Sequence, residues 1–213
     1  MDFGRLLEIV GDEPAFETGL LLSGDVDPGH IRRQLSRWTK AGRLHQLRRG
    51  LYALAPPYRK AKPHPFTIAN RLVEGSYVSC QSALGHYGLI PEYVPTVVSV
   101  CSGRPRSWDT PLGRFLFRHI RAEFLFGYQP IEVGDGQRAL VARPEKALLD
   151  LIHLTPAGDA EAYLRSLRLQ GLESLDLQTV KDLARAFGKP KLMRAAARVQ
   201  SLAGEVAPVL EGG

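Results

Sequence analysis

Residues 56–65 read Pro-Pro-Tyr-Arg-Lys-Ala-Lys-Pro-His-Pro, four prolines in ten positions. Each proline fixes its own φ and gives up a backbone donor, and each biases the residue before it toward extended backbone. Neither a helix nor an internal strand runs through such a segment. The chain of 213 residues is therefore expected to divide there, into a small unit over 1–57, a stiff basic linker over 58–65 and a larger unit over 66–213.

In the small unit, Phe3, Leu6, Leu7 and Val10 recur at helical spacing and Gly11 ends the pattern, which predicts a short amphipathic helix. A second short helix is expected over Ala15–Leu22, with Phe16 and Leu20 one turn apart, followed by a turn at Ser23–Val26. Asp27-Pro28 is a strong helix start, because aspartate accepts the orphan N–H groups and proline loses nothing at the first helical position. The helix it opens runs to about Gly42, turning Ile31, Leu35 and Trp38 inward and His30, Arg32, Arg33, Ser36, Arg37 and Lys40 outward. The runs Arg43–Leu47 and Leu51–Leu54, joined by Arg48-Arg49-Gly50, read as a hairpin. A capped basic helix followed at once by a basic-tipped hairpin is the pattern of a winged helix-turn-helix. In that arrangement the helix enters a major groove and the wing reaches the adjacent backbone. Arg32, Arg33, Ser36, Arg37, Lys40, Arg43, Arg48 and Arg49 are the candidate DNA contacts.

Charge supports the same expectation. The net charge is +6, a weak signal in itself, but its distribution is one-sided. Between Pro28 and Val73 lie Arg32, Arg33, Arg37, Lys40, Arg43, Arg48, Arg49, Arg59, Lys60, Lys62 and Arg71, with no Asp or Glu among them. The acids of the small unit precede that stretch, from Asp2 to Asp27. Such segregation suggests a face for a polyanion.

The larger unit alternates apolar and polar residues over Thr96–Cys101, Gly113–Ile120 and parts of Glu123–Val133, which predicts a small antiparallel sheet. Phe115 and Phe117 would face one way, Leu116 and Arg118 the other. Helical spacing is read over Phe66–Val73, Gln81–Tyr87, Pro144–Leu154, Ala160–Leu169, Leu177–Phe187 and Pro190–Leu202. The whole is expected to be α+β. Phosphate loops, nucleophile elbows and HExxH are absent from the sequence. Glu145, Lys146 and Asp150 are read as first-turn and surface positions rather than as a nuclease centre. No convergent polar pocket is legible. No catalytic residue, metal site or cofactor is therefore assigned, and an enzyme is not expected. The remaining alternatives are a DNA-targeted nuclease or processing enzyme and a protein-interaction module. Cys80 and Cys101 form neither a CxxC pair nor a disulfide framework. The acidic N-terminus lacks the basic start of a signal peptide, so a cytoplasmic protein with no membrane contact is expected. The last helices carry Lys181, Arg185, Lys189, Lys191, Arg194 and Arg198, a charged face whose partner the sequence leaves open.

Several phrases in succession resemble the AbiEi-type antitoxin family: Arg49-Gly50-Leu51-Tyr52-Ala53-Leu54, Tyr77-Val78-Ser79 leading into Ser82-Ala83-Leu84, Gly88-Leu89, Leu112-Gly113-Arg114-Phe115, and Ala142-Arg143-Pro144-Glu145-Lys146-Ala147-Leu148-Leu149-Asp150. The family commonly has threonine where Arg143 stands. The resemblance covers about residues 5–155. It implies a winged-helix domain, then a domain needed to neutralise a toxin in abortive infection, and repression of the chain's own operon through inverted repeats in double-stranded promoter DNA. It also implies a nucleotidyltransferase-like toxin as functional partner in a type IV system, without a stable complex.

Overall fold

A computed structural model describes residues 1–23, 26–92 and 94–206. Among these the chain is a mixed α+β fold with eight α-helices and two sheets. The turn expected at Ser23–Val26 falls partly outside the described residues. No described helix is long and apolar enough to cross a membrane.

The first helix, α1 (Phe3–Val10), is capped by Asp2, and α2 (Pro28–Lys40) by Asp27. Between them the expected second helix is instead a two-residue strand, β1 (Phe16–Glu17), followed by a single 3-10 turn at Thr18–Leu21. The reason is a ready partner: Phe16 and Glu17 pair with Tyr52 and Leu51 of the hairpin formed by β2 (Leu44–Arg48) and β3 (Leu51–Leu54). The antiparallel sheet has the order β1-β3-β2. Gly50, at φ 83°, supplies the left-handed residue of the hairpin turn.

Successive side chains of a strand point to opposite faces, and β3 uses both. Leu54 joins Leu6, Val10, Phe16, Ile31, Leu35, Trp38 and Leu44 in a small core against α1 and α2. Leu51 and Ala53, together with Ala15 and Leu47, join the large core of the C-terminal region. The segments on either side of the prolines thus share a hydrophobic core. The proline-rich segment is itself held at both ends. Tyr58 packs edge-on against Phe3, and the buried Gln137 side chain accepts from His64 N at 2.8 Å and donates to Lys62 O at 2.8 Å.

Beyond it come α3 (Pro65–Leu72), β4 (Tyr77–Val78), α4 (Cys80–His86), β5 (Thr96–Cys101), β6 (Arg106–Thr110), β7 (Gly113–His119), β8 (Tyr128–Gly134) and β9 (Gln137–Ala142). The helices α5 (Pro144–Leu154), α6 (Glu161–Ser166), α7 (Leu177–Phe187) and α8 (Pro190–Val206) follow. The sheet corrects the expected small antiparallel one. It has six strands in the order β6-β7-β5-β4-β9-β8, and β5 with β7 and β4 with β9 run parallel. Alternation in a sequence reports which face is wet, not strand direction, so the parallel crossovers were illegible. Phe115 and Phe117 are buried while Leu116 is exposed, as the alternation predicted. Strand β4 is too short to cover its neighbour, and α3 completes the edge: Asn70 accepts from Leu140 N at 2.7 Å and donates to Leu140 O at 3.4 Å.

The helix α5 departs most from expectation. Glu145, Lys146 and Asp150 are not surface residues; Lys146 and Asp150 are 0% exposed. The helix is enclosed by α4, α7, α8 and β9, so no face of it remains for solvent. Lys146 Nζ donates to Asp150 Oδ1 and, at 2.7 Å, to the Tyr77 hydroxyl; Tyr77 and Ser79 donate to Asp150 Oδ2 at 3.0 and 2.7 Å. The ammonium also sits 4.7 Å from the Phe187 ring centroid and 5.2 Å from those of Tyr77 and Phe126. Gly127 (φ 70°) passes over Lys146 so closely that a Cβ there would lie 3.1 Å from Lys146 Cγ. Burial pushes the Lys146 ammonium down and the Asp150 carboxyl up, and their pairing opposes both shifts. The neighbouring Cys80 thiol is pushed up to about 12, first by burial and then by the Asp150 charge.

Breaking one partner of this pair leaves a buried charge with nothing to compensate it. Lys146→Met or Asp150→Leu alone is expected to cost about 3–5 kcal/mol of stability in urea titration, and the double variant to recover most of the loss. Equal losses in the double and single variants would show that the pair is not one energetic unit.

Candidate nucleic-acid interface

The helix α2 is amphipathic in space as in sequence. Ile31, Leu35 and Trp38 are buried, with Trp38 edge-on to Phe3 at 5.3 Å. Arg32, Arg33, Ser36, Arg37 and Lys40 are exposed on the opposite side. The first turn is held by Asp27, which accepts from Gly29 N at 2.8 Å and His30 N at 3.0 Å. The Gly29 N–H, then the His30 N–H and the Arg33 charge, hold its carboxyl below the usual aspartate range. Folding thus favours the ionised form, so the cap's contribution is present above that range and is lost as pH falls through the lowered value.

Side chains of α2 enclose a shallow depression of about 500 Å³, lined by His30, Arg32, Arg33, Gln34, Ser36 and Arg37. Gln34 is an addition to the residues expected from sequence. It lies 3.5 Å from the His30 ring, one turn earlier on the same side, and that i, i+4 spacing was the available signal. Arginine, glutamine and serine together offer the donors and acceptors that fit base edges in a major groove.

Two expected contacts are committed elsewhere. Arg48 does not extend from the hairpin tip. Its Nη2 pairs with Glu17 at 2.7 Å and its Nε donates to Leu72 O at 3.1 Å, with further bonds to the carbonyls of Arg49 and Arg71. It fastens the hairpin tip to the end of α3, satisfying a carbonyl that the helix terminus leaves open. Arg43 is half-buried, its guanidinium 5.0 Å from the Phe3 ring centroid. Arg49 is exposed at the tip.

The charge segregation along the chain is partly undone by folding. Glu17, Asp12, Glu13 and Asp27 return to pair with Arg48, Lys60, Arg71 and Arg33, at 2.7, 3.0, 2.9 and 3.4 Å. Arg32, Arg37, Lys40 and Arg49 have no ion-pair partner among the described residues, and all four are exposed. The unpaired basic surface of this stretch therefore centres on α2 and the tip of its hairpin, with Lys62 of the proline segment also exposed and without an ion-pair partner among the described residues. At the other end of the chain the basic side chains are largely bound to the protein. Lys191 donates to the His153 and Thr155 carbonyls, Arg194 and Arg198 meet Asp159, and Arg185 pairs with Asp182. Glu145 Oε1 accepts from Asp176 N at 3.1 Å at the start of α7, so neither it nor Asp150 faces a cleft.

No family model matches this chain, and no curated protein matches it. Among solved structures, the chain is similar to the crystal structure of the RV2827C protein from Mycobacterium tuberculosis, with a TM-score of 0.50 and 17% identity over 97% of this chain and 82% of that one. At that identity the likeness concerns the mixed α+β fold alone.

Proposed function

We propose that this chain is a sequence-specific DNA-binding transcriptional autorepressor of the cytoplasm, the antitoxin of a type IV toxin–antitoxin operon, and that residues 1–57 are a winged helix-turn-helix. The observation that carries the reading is the surface of α2: an apolar side locked into the small core and an opposite side on which Arg32, Gln34, Arg37 and Lys40 have no acidic partner among the described residues. The order helix, strand, short turn, capped helix and hairpin, with β1 pairing to the second hairpin strand, supports a winged-helix reading. The antitoxin role and the inverted-repeat operator rest on the resemblance to AbiEi-type proteins.

In this reading α2 lies in a major groove. Arg32, Arg33, Gln34, Ser36 and Arg37 meet base edges and phosphates, and Lys40 and Arg49 meet phosphates. Arg48 acts on the hairpin's position, not on DNA. About four phosphate contacts give a log–log salt slope near −4, at about −0.9 per contact. The test is a mobility-shift titration of the chain's own upstream duplex against random DNA of equal length at two salt concentrations. Preference for the upstream fragment by about a hundredfold, within the usual span of specific over non-specific binding, is expected. Equal weak binding to both fragments would overturn the reading.

Three variants sort the residues. Arg37→Ala is expected to weaken upstream-fragment binding by about 5- to 150-fold, the range of one good bidentate base contact, without lowering the melting temperature. Arg48→Ala is expected to behave oppositely, lowering the melting temperature while leaving the salt slope within about half a unit, less than the 0.9 that one phosphate contact contributes. Asp27→Asn keeps a good cap but releases Arg33 and removes a negative charge, so affinity should rise about two- to fivefold, as for an exposed pair. Unchanged or weaker binding by this variant would place Arg33 outside the interface.

A further inference from the structure

Strands β5 and β7 run parallel with Val98 beside Leu116 and Val100 beside Arg118. The alternation that buries Phe115 and Phe117 on one side leaves Thr96, Val98, Leu116 and Arg118 together on the other. That strip is the floor of a cavity of about 500 Å³ whose walls are Gln81 of α4, Ile90 and Val94 of the following segment, and Leu167 at the end of α6. The size is that of a small-molecule site, and mostly apolar walls with a few convergent polar groups are its usual make-up.

The polar groups include one anchored cation. Arg118 donates through Nη2 to the Leu154 carbonyl, which anchors the guanidinium and leaves its Nε and Nη1 without a partner among the described residues. The Gln81 carboxamide and Thr96 hydroxyl, on the same cavity, are likewise without a side-chain hydrogen bond among the described residues. The acid at the rim, Glu92, is neutralised by Arg168 at 2.5 Å. Leu116, on the floor, is 37% exposed, so the alternation that buries its flanking phenylalanines leaves an apolar side chain open to the cavity. An apolar floor with an anchored cation at one end, and Thr96 at the other beside Arg114, complements a molecule with an apolar body and a single negative head.

We propose that this cavity binds a small amphipathic monoanion, a carboxylate on an aliphatic or aromatic body, with the carboxylate at Arg118 and the body over Leu116 and Val98. A guanidinium anchored through one Nη2 hydrogen still has the other Nη2 N–H to set in parallel with Nε or Nη1, the fork that matches a carboxylate. The surrounding apolar walls favour a body that leaves water on entry. The site is separate from the surface of α2 and does not depend on what α2 binds.

The experiment is calorimetric titration of the full chain with sodium octanoate and with 1-octanol at one ionic strength. Saturable one-to-one binding of octanoate, at least tenfold tighter than octanol, is expected. Arg118→Gln should bring the two ligands within about threefold of each other, and Gln81→Ala should weaken octanoate without affecting folding. Leu116→Glu, at an exposed position that tolerates charge, should abolish both. No saturable octanoate binding, equal affinity for the acid and the alcohol, or octanoate binding that survives Leu116→Glu would each overturn the proposal.

Discussion

The two faces of β3 hold the molecule together. Leu51 and Ala53 point into the large core while Tyr52 and Leu54 point toward α1 and α2. A strand with apolar side chains on both faces cannot leave either in water without losing about 25 cal/mol for each Å² exposed. The three-stranded sheet is therefore a shared wall. The helix α2 has its orientation fixed relative to the six-stranded sheet through that wall, with the Arg48 bonds to the end of α3 and the Gln137 clamp on the proline segment as polar reinforcement. A basic helix mounted in this way presents its side chains from a base packed on both faces, and on the proposed reading that lowers the entropy lost on binding a groove.

The contrast between Arg48 and Arg37 shows what linear charge patterns conceal. Both lie in the same acid-free stretch, and counting along the chain gives them equal weight. Folding returns Glu17 to Arg48, because β1 pairs beside the hairpin, whereas among the described residues no acid pairs with Arg37. The alternation of the hairpin also matters: the tip is too short, and too near α3, for an arginine at Arg48 to reach outward. The same logic separates the C-terminal basic residues from the α2 set. Lys191 lies where α5 ends and carbonyls lack partners, so its charge is spent on a helix terminus.

The buried pair in α5 is the other place where local pattern misleads. A glutamate, a lysine and an aspartate within six positions look like the wet side of a helix. They are interior here because other elements surround α5 on every side, and because Tyr77, Ser79 and the rings of Phe126 and Phe187 supply what the charges lose with water. Tyr77 and Ser79 lie about seventy residues before Lys146, Phe126 about twenty before and Phe187 about forty after, all beyond the reach of any helical or strand periodicity. Two strands went unread for more ordinary reasons. The polar segment Arg106–Thr110 has no apolar face to announce β6, while β9 follows a Gly134-Asp135-Gly136 turn that was a usable hairpin signal.

What the sequence by itself determined is the local chemistry: the Asp27-Pro28 cap, the apolar and basic sides of α2, the turn at Gly50, and the α+β class with its late helices. Each follows from neighbours within one turn or one hairpin, where spacing alone specifies geometry. Tertiary structure alone decided which arginines remain free, which charges are buried, which strands run parallel, and that Gln81, Leu116 and Arg118 line one cavity. Those outcomes depend on pairings between residues far apart in the chain, made by burial and hydrogen bonding that no local repeat records.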